Sequence, residues 1–287
     1  MIKDLTKVGA RGGGFATRAG TTTEVSVSPA KTNQVHVSIN GRPAPEAATT
    51  IHAVEIMQQR IAKPYIVTVK HKVDVPIGSG FGTSAGGALT SCMALTAALG
   101  LHLTYNQIGM IAHIAEIECK TGLGTVGPLM LGGCILTVEP GGPGVAVIDR
   151  IPLKQNHLII AGVFSLTPTK SVLSSATKRT LINEMGKQAM QEIIEDPSVE
   201  NFLSSSMRFA EKTGFATNRV KTLAKKAEKA GAIGTAQNMV GEAIHALVEE
   251  DNASRVVDAF KQVLPNESII ISKIDFQGAR LVSNEEI

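Results

Sequence analysis

The chain has 287 residues, enough for one large or two modest domains around a sizeable core. Its 43% hydrophobic and 18% charged residues exclude wholesale disorder. The formal charge of +3 is dispersed, without the basic clusters and interleaved aromatics of a nucleic-acid binder. Cys92, Cys119 and Cys134 are odd in number and form no C-x-x-C pair, so they read as thiols in a reducing compartment. The N-terminal MIKDLTKVGARGGG lacks the apolar region of a secretory signal. The weakly polar run 88–103 is too short and too rich in Thr and Ser to span a bilayer. A soluble cytoplasmic protein is expected.

Residues 21–28 and 34–39 alternate apolar and polar positions and predict a hairpin, with Asn40-Gly41 as a further turn. Residues 50–60 read as a helix, and 65–73 as a second extended run. It leads into PIGSGFGTSAGG at 76–87, where glycines at 78, 80, 82, 86 and 87 let the backbone turn its N–H groups toward one point. Thr83 and Ser84 stand where the next helix, expected over 88–99, would be N-capped. Bare N–H groups, hydroxyls and a helix N-terminus form an anion cradle, and the usual anion is a phosphate. No Asp, Glu, Lys or Arg occurs from 77 to 115, so binding there rests on backbone dipoles.

Thr104 and Gln107 form a capping box that opens a helix to about residue 120, with Ile108, Ile111, Ala112 and Ala115 as its apolar stripe. A glycine-rich turn at 121–127 leads to a strand at 134–138, which Pro140 and the following glycines break. A linker-like stretch at 152–156 precedes a strand at 158–164 and helices at 171–194, 199–212 and 219–230. Strand, helix and a last strand at 269–274 follow. The elements mix without strict alternation, so the fold class expected is α+β. The linker divides it into domains 1–155 and 156–287.

Three phosphate loops compete for 76–85. A Walker A loop needs Lys after its last glycine, and Thr83 follows Gly82. A Rossmann loop fits Gly80 to Ala85 but needs an acid roughly 20 positions on, and the first acid is Glu116. The third, P-x-x-x-G-x-G-[ST]-S-A of the GHMP kinases, resembles 76–85 at every defined position. A plain glycine-rich turn is the alternative.

Beside a phosphate, the Ser84 hydroxyl suits a Mg²⁺ shell as well as a cap. Glu116 offers the carboxylate such an ion needs, or else a surface pair with Lys120; Glu118 is its substitute. His113 shares a helix face with Glu116 and is either a substrate contact or a buried histidine. A second glycine cluster at 231–241 either closes over phosphates or lets two elements pack. Arg11 among glycines, and Lys170 after Thr169, are cations for an acidic substrate; an exposed arginine is the plainer reading of Arg11.

Together these residues resemble the archaeal pantoate kinases, a branch of the GHMP kinases, over nearly the whole chain. The matching strings are the glycine loop, Ala112-His113-Ile114-Ala115-Glu116, Thr121-Gly122-Leu123-Gly124, Gly132-Gly133, Glu139-Pro140-Gly141, Thr169-Lys170-Ser171, the 202–209 segment and Gly241-Glu242. The resemblance implies an S5-like ATP-binding N-terminal domain and a ferredoxin-like C-terminal domain that completes the cleft. It implies transfer of the γ-phosphoryl of ATP to pantoate, giving 4-phosphopantoate for coenzyme A synthesis, with a homodimer left open. Pro76, Gly78, Ser79, Gly80, Gly82, Thr83, Ser84 and Ala85 would then line ATP. Ser84 and Glu116 would be the catalytic and Mg²⁺-binding pair, and Arg11, His113, Thr169 and Lys170 would serve pantoate. Another hydroxy acid, such as homoserine or a mevalonate relative, is the alternative acceptor, and a nucleotide sensor without turnover is the alternative class.

The chain departs from that branch at Thr125, where an Asp is usual, at Thr137, near a usual Arg, and at Ala10, where a Ser is expected. The P-x-H-I-T-G-F-F opening is absent, as though the start falls late. Phosphoryl transfer through a loose transition state asks more of positioning and charge neutralisation than of a strong base, so loss of the Asp need not abolish it.

Overall fold

The computed structural model describes residues 4–165, 176–239 and 241–283. In the first half, β1 (Gly12–Phe15), β2 (Thr21–Pro29), β3 (Gln34–Ile39) and β4 (Arg42–Pro43) precede α1 (Ala48–Gln58) and β5 (Tyr65–Val73). Helices α2 (Thr83–Ala98), α3 (Tyr105–Cys119) and α4 (Val126–Leu131) follow, then β6 (Cys134–Glu139) and β7 (Val147–Ile151).

The expected hairpin of β2 with β3 does not form. β5 lies between them, antiparallel to β2 and parallel to β3, in the order β2-β5-β3-β4. The physical reason is burial: Val67 and Val69, on the one face of β5 that meets the helices, are fully buried, which the middle of the sheet provides. The Ser- and Thr-rich β2 tolerates an edge. Asn40-Gly41 does turn β3 into β4, with φ of 50° and 78°. α1, α2 and α3 cover this sheet around Val54, Met57, Leu89, Leu95 and Ile111. Close approach of α2 is possible because Gly87 faces Thr50 and His71, where a Cβ would meet the Thr50 hydroxyl at 3.0 Å.

Several first-half elements were not anticipated, the strands β1 and β4 among them. The stretch read as a turn contains α4, and β7 pairs with β6 beyond the proline-glycine break. With β1 they form a separate sheet, β1-β6-β7.

The second half holds β8 (His157–Ser165), α5 (Ala176–Glu195), α6 (Val199–Lys212), α7 (Asn218–Lys229), β9 (Gly234–Gln237), β10 (Glu242–Glu249), α8 (Ala253–Lys261) and β11 (Ile269–Lys273). Its antiparallel sheet runs β11-β8-β10-β9, the strand order of the ferredoxin-like fold that was expected. Thr169 and Lys170 lie outside the described residues.

The two sheet systems share a core. Leu136 and Ile151 from the β1-β6-β7 sheet join Ile159, Phe202, Leu203 and Leu247 in one apolar cluster. The segment after β11 also returns to the first half. Gly133 N–H donates to the Asp275 carbonyl at 2.7 Å, Ala279 N–H donates to Leu129 at 2.8 Å, and the Tyr105 hydroxyl donates to Ala279. Gly278, at φ 75°, lies so close to α4 that a Cβ would overlap the Met130 carbonyl. Among the described residues no helix is long and apolar enough to cross a membrane.

Candidate active site

Three glycines with left-handed backbones shape the loop between β5 and α2: Gly78 (φ 84°), Gly80 (φ 82°) and Gly82 (φ 67°). Helix α2 begins at Thr83, five residues earlier than the sequence suggested, and Gly82 is its N-cap. Thr83 and Ser84 are therefore not caps but first-turn residues. No side chain among the described residues caps this helix, so its N-terminal dipole faces the glycine loop. Pro76, Thr83 and Ser84 are half-buried, and Ala85 packs into the core behind them. Ser79 is fully buried and its hydroxyl has no partner among the described residues.

Freed from capping, Ser84 Oγ donates to Glu116 Oε1 at 2.7 Å. Glu116 projects from α3 and is 1% exposed, which excludes the surface pair with Lys120. Its Oε2 is buried without a partner among the described residues. Burial pushes the carboxyl up to about 7, against the opposing pull of the Ser84 hydrogen bond. A buried carboxylate with one free oxygen is costly unless a cation or another donor meets it. The loop after α3 closes over it: a Cβ on Gly122 would lie 2.5 and 2.6 Å from the two carboxylate oxygens, so any side chain there would displace the carboxylate. Glu118 is on another side of α3, where its Oε2 accepts from His52 Nε2 at 2.6 Å.

His113 is buried, with Nε2 bonded to the Val8 carbonyl at 2.9 Å and its Cδ2 against Gly142. It ties the N-terminal segment to α3, and burial lowers its pKa. Arg11 is exposed and has no ion-pair partner among the described residues. Ala10 N–H donates to the Leu123 carbonyl at 2.7 Å, which places Arg11 beside the loop that covers Glu116.

Residues 48–133, which hold the glycine loop and Glu116, match the GHMP kinases N terminal domain family. Over 268 residues the chain is 30% identical to a pantoate kinase of Thermococcus kodakarensis, covering 92% of this chain and 86% of that relative. The chain belongs to the GHMP kinases. A solved structure described as a phosphotransferase related to the CoA biosynthesis pathway superposes with a TM-score of 0.84 at 28% identity, covering 96% of this chain and 90% of that one. A mevalonate kinase of Thermococcus sibiricus is 22% identical, over 84% of this chain and 77% of its own length.

The second glycine cluster of this GHMP kinase packs directly on the first. A Cβ on Gly80 would lie 2.5 Å from the Asn238 carbonyl, and one on Gly241 would lie 3.3 Å from the Ser79 backbone. Of the two roles open to this cluster, packing is the one seen. The three departures from the pantoate kinase pattern also gather in one place. Ala10 lies on Leu123, Thr125 touches Gly82 with its Cγ2, and buried Thr137 pairs across the sheet with Gly12. Gly122 and Asn238 are contributors that the sequence reading missed, although glycines in T-G-L-G and in the 231–241 cluster were a signal of close backbone approach.

Proposed function

We propose that this GHMP kinase transfers the γ-phosphoryl group of ATP, with Mg²⁺, to the hydroxyl of a small hydroxy acid, pantoate being the favoured acceptor. One observation carries the reading: a buried carboxylate, joined to a first-turn serine beside a glycine loop and a helix start, keeps an oxygen with no partner among the described residues. The donor set fits the ion, because Mg²⁺ takes one or two protein oxygens and fills its other positions from phosphate and water. Ser84 and Glu116 are the residues that would hold it. When bound, the ion neutralises charge that builds on the phosphate oxygens.

The chain's own residues then have distinct tasks. The N–H groups of the glycine loop and of the first turn of α2 receive the phosphates without any cationic side chain. The Gly122 loop keeps water from the Glu116 carboxylate, which strengthens its pull on any cation. Arg11 offers a guanidinium to the acceptor carboxylate, a pairing that positions the hydroxyl more than it activates it. Thr125 carries no carboxylate, so positioning is the larger share of the work here.

A different acceptor, mevalonate or homoserine, is the second reading, favoured by the mevalonate kinase likeness. ADP release with purified protein, MgATP and a panel of pantoate, homoserine, mevalonate and shikimate separates the two. Pantoate alone supporting turnover is the expected outcome. ATP binding without turnover on any acceptor would leave a nucleotide sensor.

A further inference from the structure

The turn that presses on the glycine loop begins at Asn238, and Met239 within it is held in an unfavourable shape. Met239 takes φ 49°, a left-handed conformation that a non-glycine side chain adopts only when its surroundings impose it. Several contacts impose it. Gly241 N–H donates to the Asn238 carbonyl at 3.1 Å, and Asn238 N–H donates to Ala243 at 2.9 Å. Gln237 Nε2 donates to the Gly241 carbonyl at 3.1 Å. Just beyond the turn, Glu242 accepts from Thr217 at 2.8 Å, from Ser165 at 2.9 Å, and from Arg219. The same Asn238 carbonyl touches Gly80.

The side chain of Asn238 is fixed from behind. Its Oδ1 lies 2.6 Å from His245 Nδ1. An amide oxygen only accepts, so Nδ1 carries the proton and donates. The other face of the imidazole meets Phe15 edge-on, with ring centroids 5.6 Å apart. Phe15 ends β1, the strand that begins directly after Arg11. His245 Nε2 is buried and has no partner among the described residues. A ring serving only to fill space would be phenylalanine, which fills it without an unpaired buried nitrogen. The histidine is thus explained by its Nδ1–H.

We propose that His245 is a positioning residue of this site: through Asn238 it sets the shape of the glycine loop. Its consequence for catalysis rests on the loop being the nucleotide site, but its effect on the loop does not.

Two variants separate the hydrogen bond from the packing. His245→Asn puts an amide N–H near the position of Nδ1, while His245→Gln carries its amide toward that of Nε2 and away from Asn238. Both lose the ring against Phe15, so both should lower Tm alike. Amide hydrogen exchange over residues 78–84 of the ligand-free protein is the direct readout, and ATP affinity by calorimetry is the second. Asn should stay within about twofold of wild type in both, whereas Gln should exchange about tenfold faster and bind ATP about tenfold more weakly, the cost of one buried acceptor left unpaired. Asn238→Ala should reproduce the Gln result, and combining the two changes should add nothing. Should His245→Gln fail to fold, the wild-type and Asn238→Ala comparison carries the same test. Equal exchange in the Asn and Gln variants, or unchanged exchange in Asn238→Ala, would overturn the inference and leave the kinase reading intact. A split in exchange with no ATP binding by wild type would support the inference and sink the kinase reading.

Discussion

Glu116 and Glu118 stand two positions apart on α3 and meet opposite fates. Glu118 is satisfied: half in water, it pairs with His52, whose pKa rises mainly through that hydrogen bond. Glu116 is enclosed, has one hydroxyl donor among the described residues, and is pushed up to about 7 by burial. Two helical residues turn a side chain by about 200°, so neighbouring carboxylates face different worlds. A fold that keeps an unsatisfied carboxylate when a neutral residue would cost less is retaining it for something other than stability.

The largest expected break of this contrast is Glu116→Gln, which should cut turnover by about 10²–10³-fold through loss of charge at the phosphates, without lowering Tm. Initial rates of ADP release and a thermal melt on the same sample check both halves; activity equal to wild type at limiting Mg²⁺ removes Glu116 from the metal.

The pH dependence of the ligand-free protein sharpens the contrast next. Glu116 has a folded pKa of about 7 against a reference of 4.5, so the folded state holds the extra proton. Its stabilising contribution is fully present below pH 4.5 and lost as pH rises to about 7, a swing of about 3 kcal/mol. His71, lowered by burial to about 4 from 6.5, acts in the opposite sense: its contribution is present above pH 6.5 and lost toward pH 4. Urea unfolding of wild type and Glu116→Gln between these limits should show the variant gaining stability more steeply with rising pH. Parallel curves would mean that Glu116 titrates normally.

Smaller is the effect of Gly80→Ala, which adds a side chain at φ 82° against the Asn238 backbone and should cost about 1–3 kcal/mol while weakening ATP binding. Smallest is Glu118→Gln. Loss of its exposed pair with His52 should cost at most about 0.5 kcal/mol and leave turnover unchanged. A turnover defect in Glu118→Gln equal to that of Glu116→Gln would erase the distinction between the two residues.

Local signals read well from the sequence. The capping box at Thr104 and Gln107 forms with both hydrogen bonds, and the glycine loop lies where its string of small residues put it. Pairing over a distance did not read. Insertion of β5 between β2 and β3 sets Val67 and Val69 in the middle of the buried face, and alternation within one strand does not reveal which strand is central. The serine–glutamate contact across 32 positions was half legible, because chemistry named the residues while packing alone showed the free oxygen. The closeness of Asn238 to Gly80 left one signal, the glycines of the two loops, and nothing in the sequence said which backbones they bring together.

The clasp of the 275–279 segment on α4 makes this protein its own optical gauge. The chain has no Trp and just two Tyr, and the Tyr105 phenol is the side chain that donates to the Ala279 carbonyl. Burial raises its pKa above the ordinary 10, so in the intact molecule it ionises late. Detachment of the segment would return the phenol to water and bring its ultraviolet titration back toward that of a free tyrosine. Alkaline difference spectra of Tyr105→Phe against wild type would therefore report how firmly the end of the second sheet system grips the first, with no dye attached.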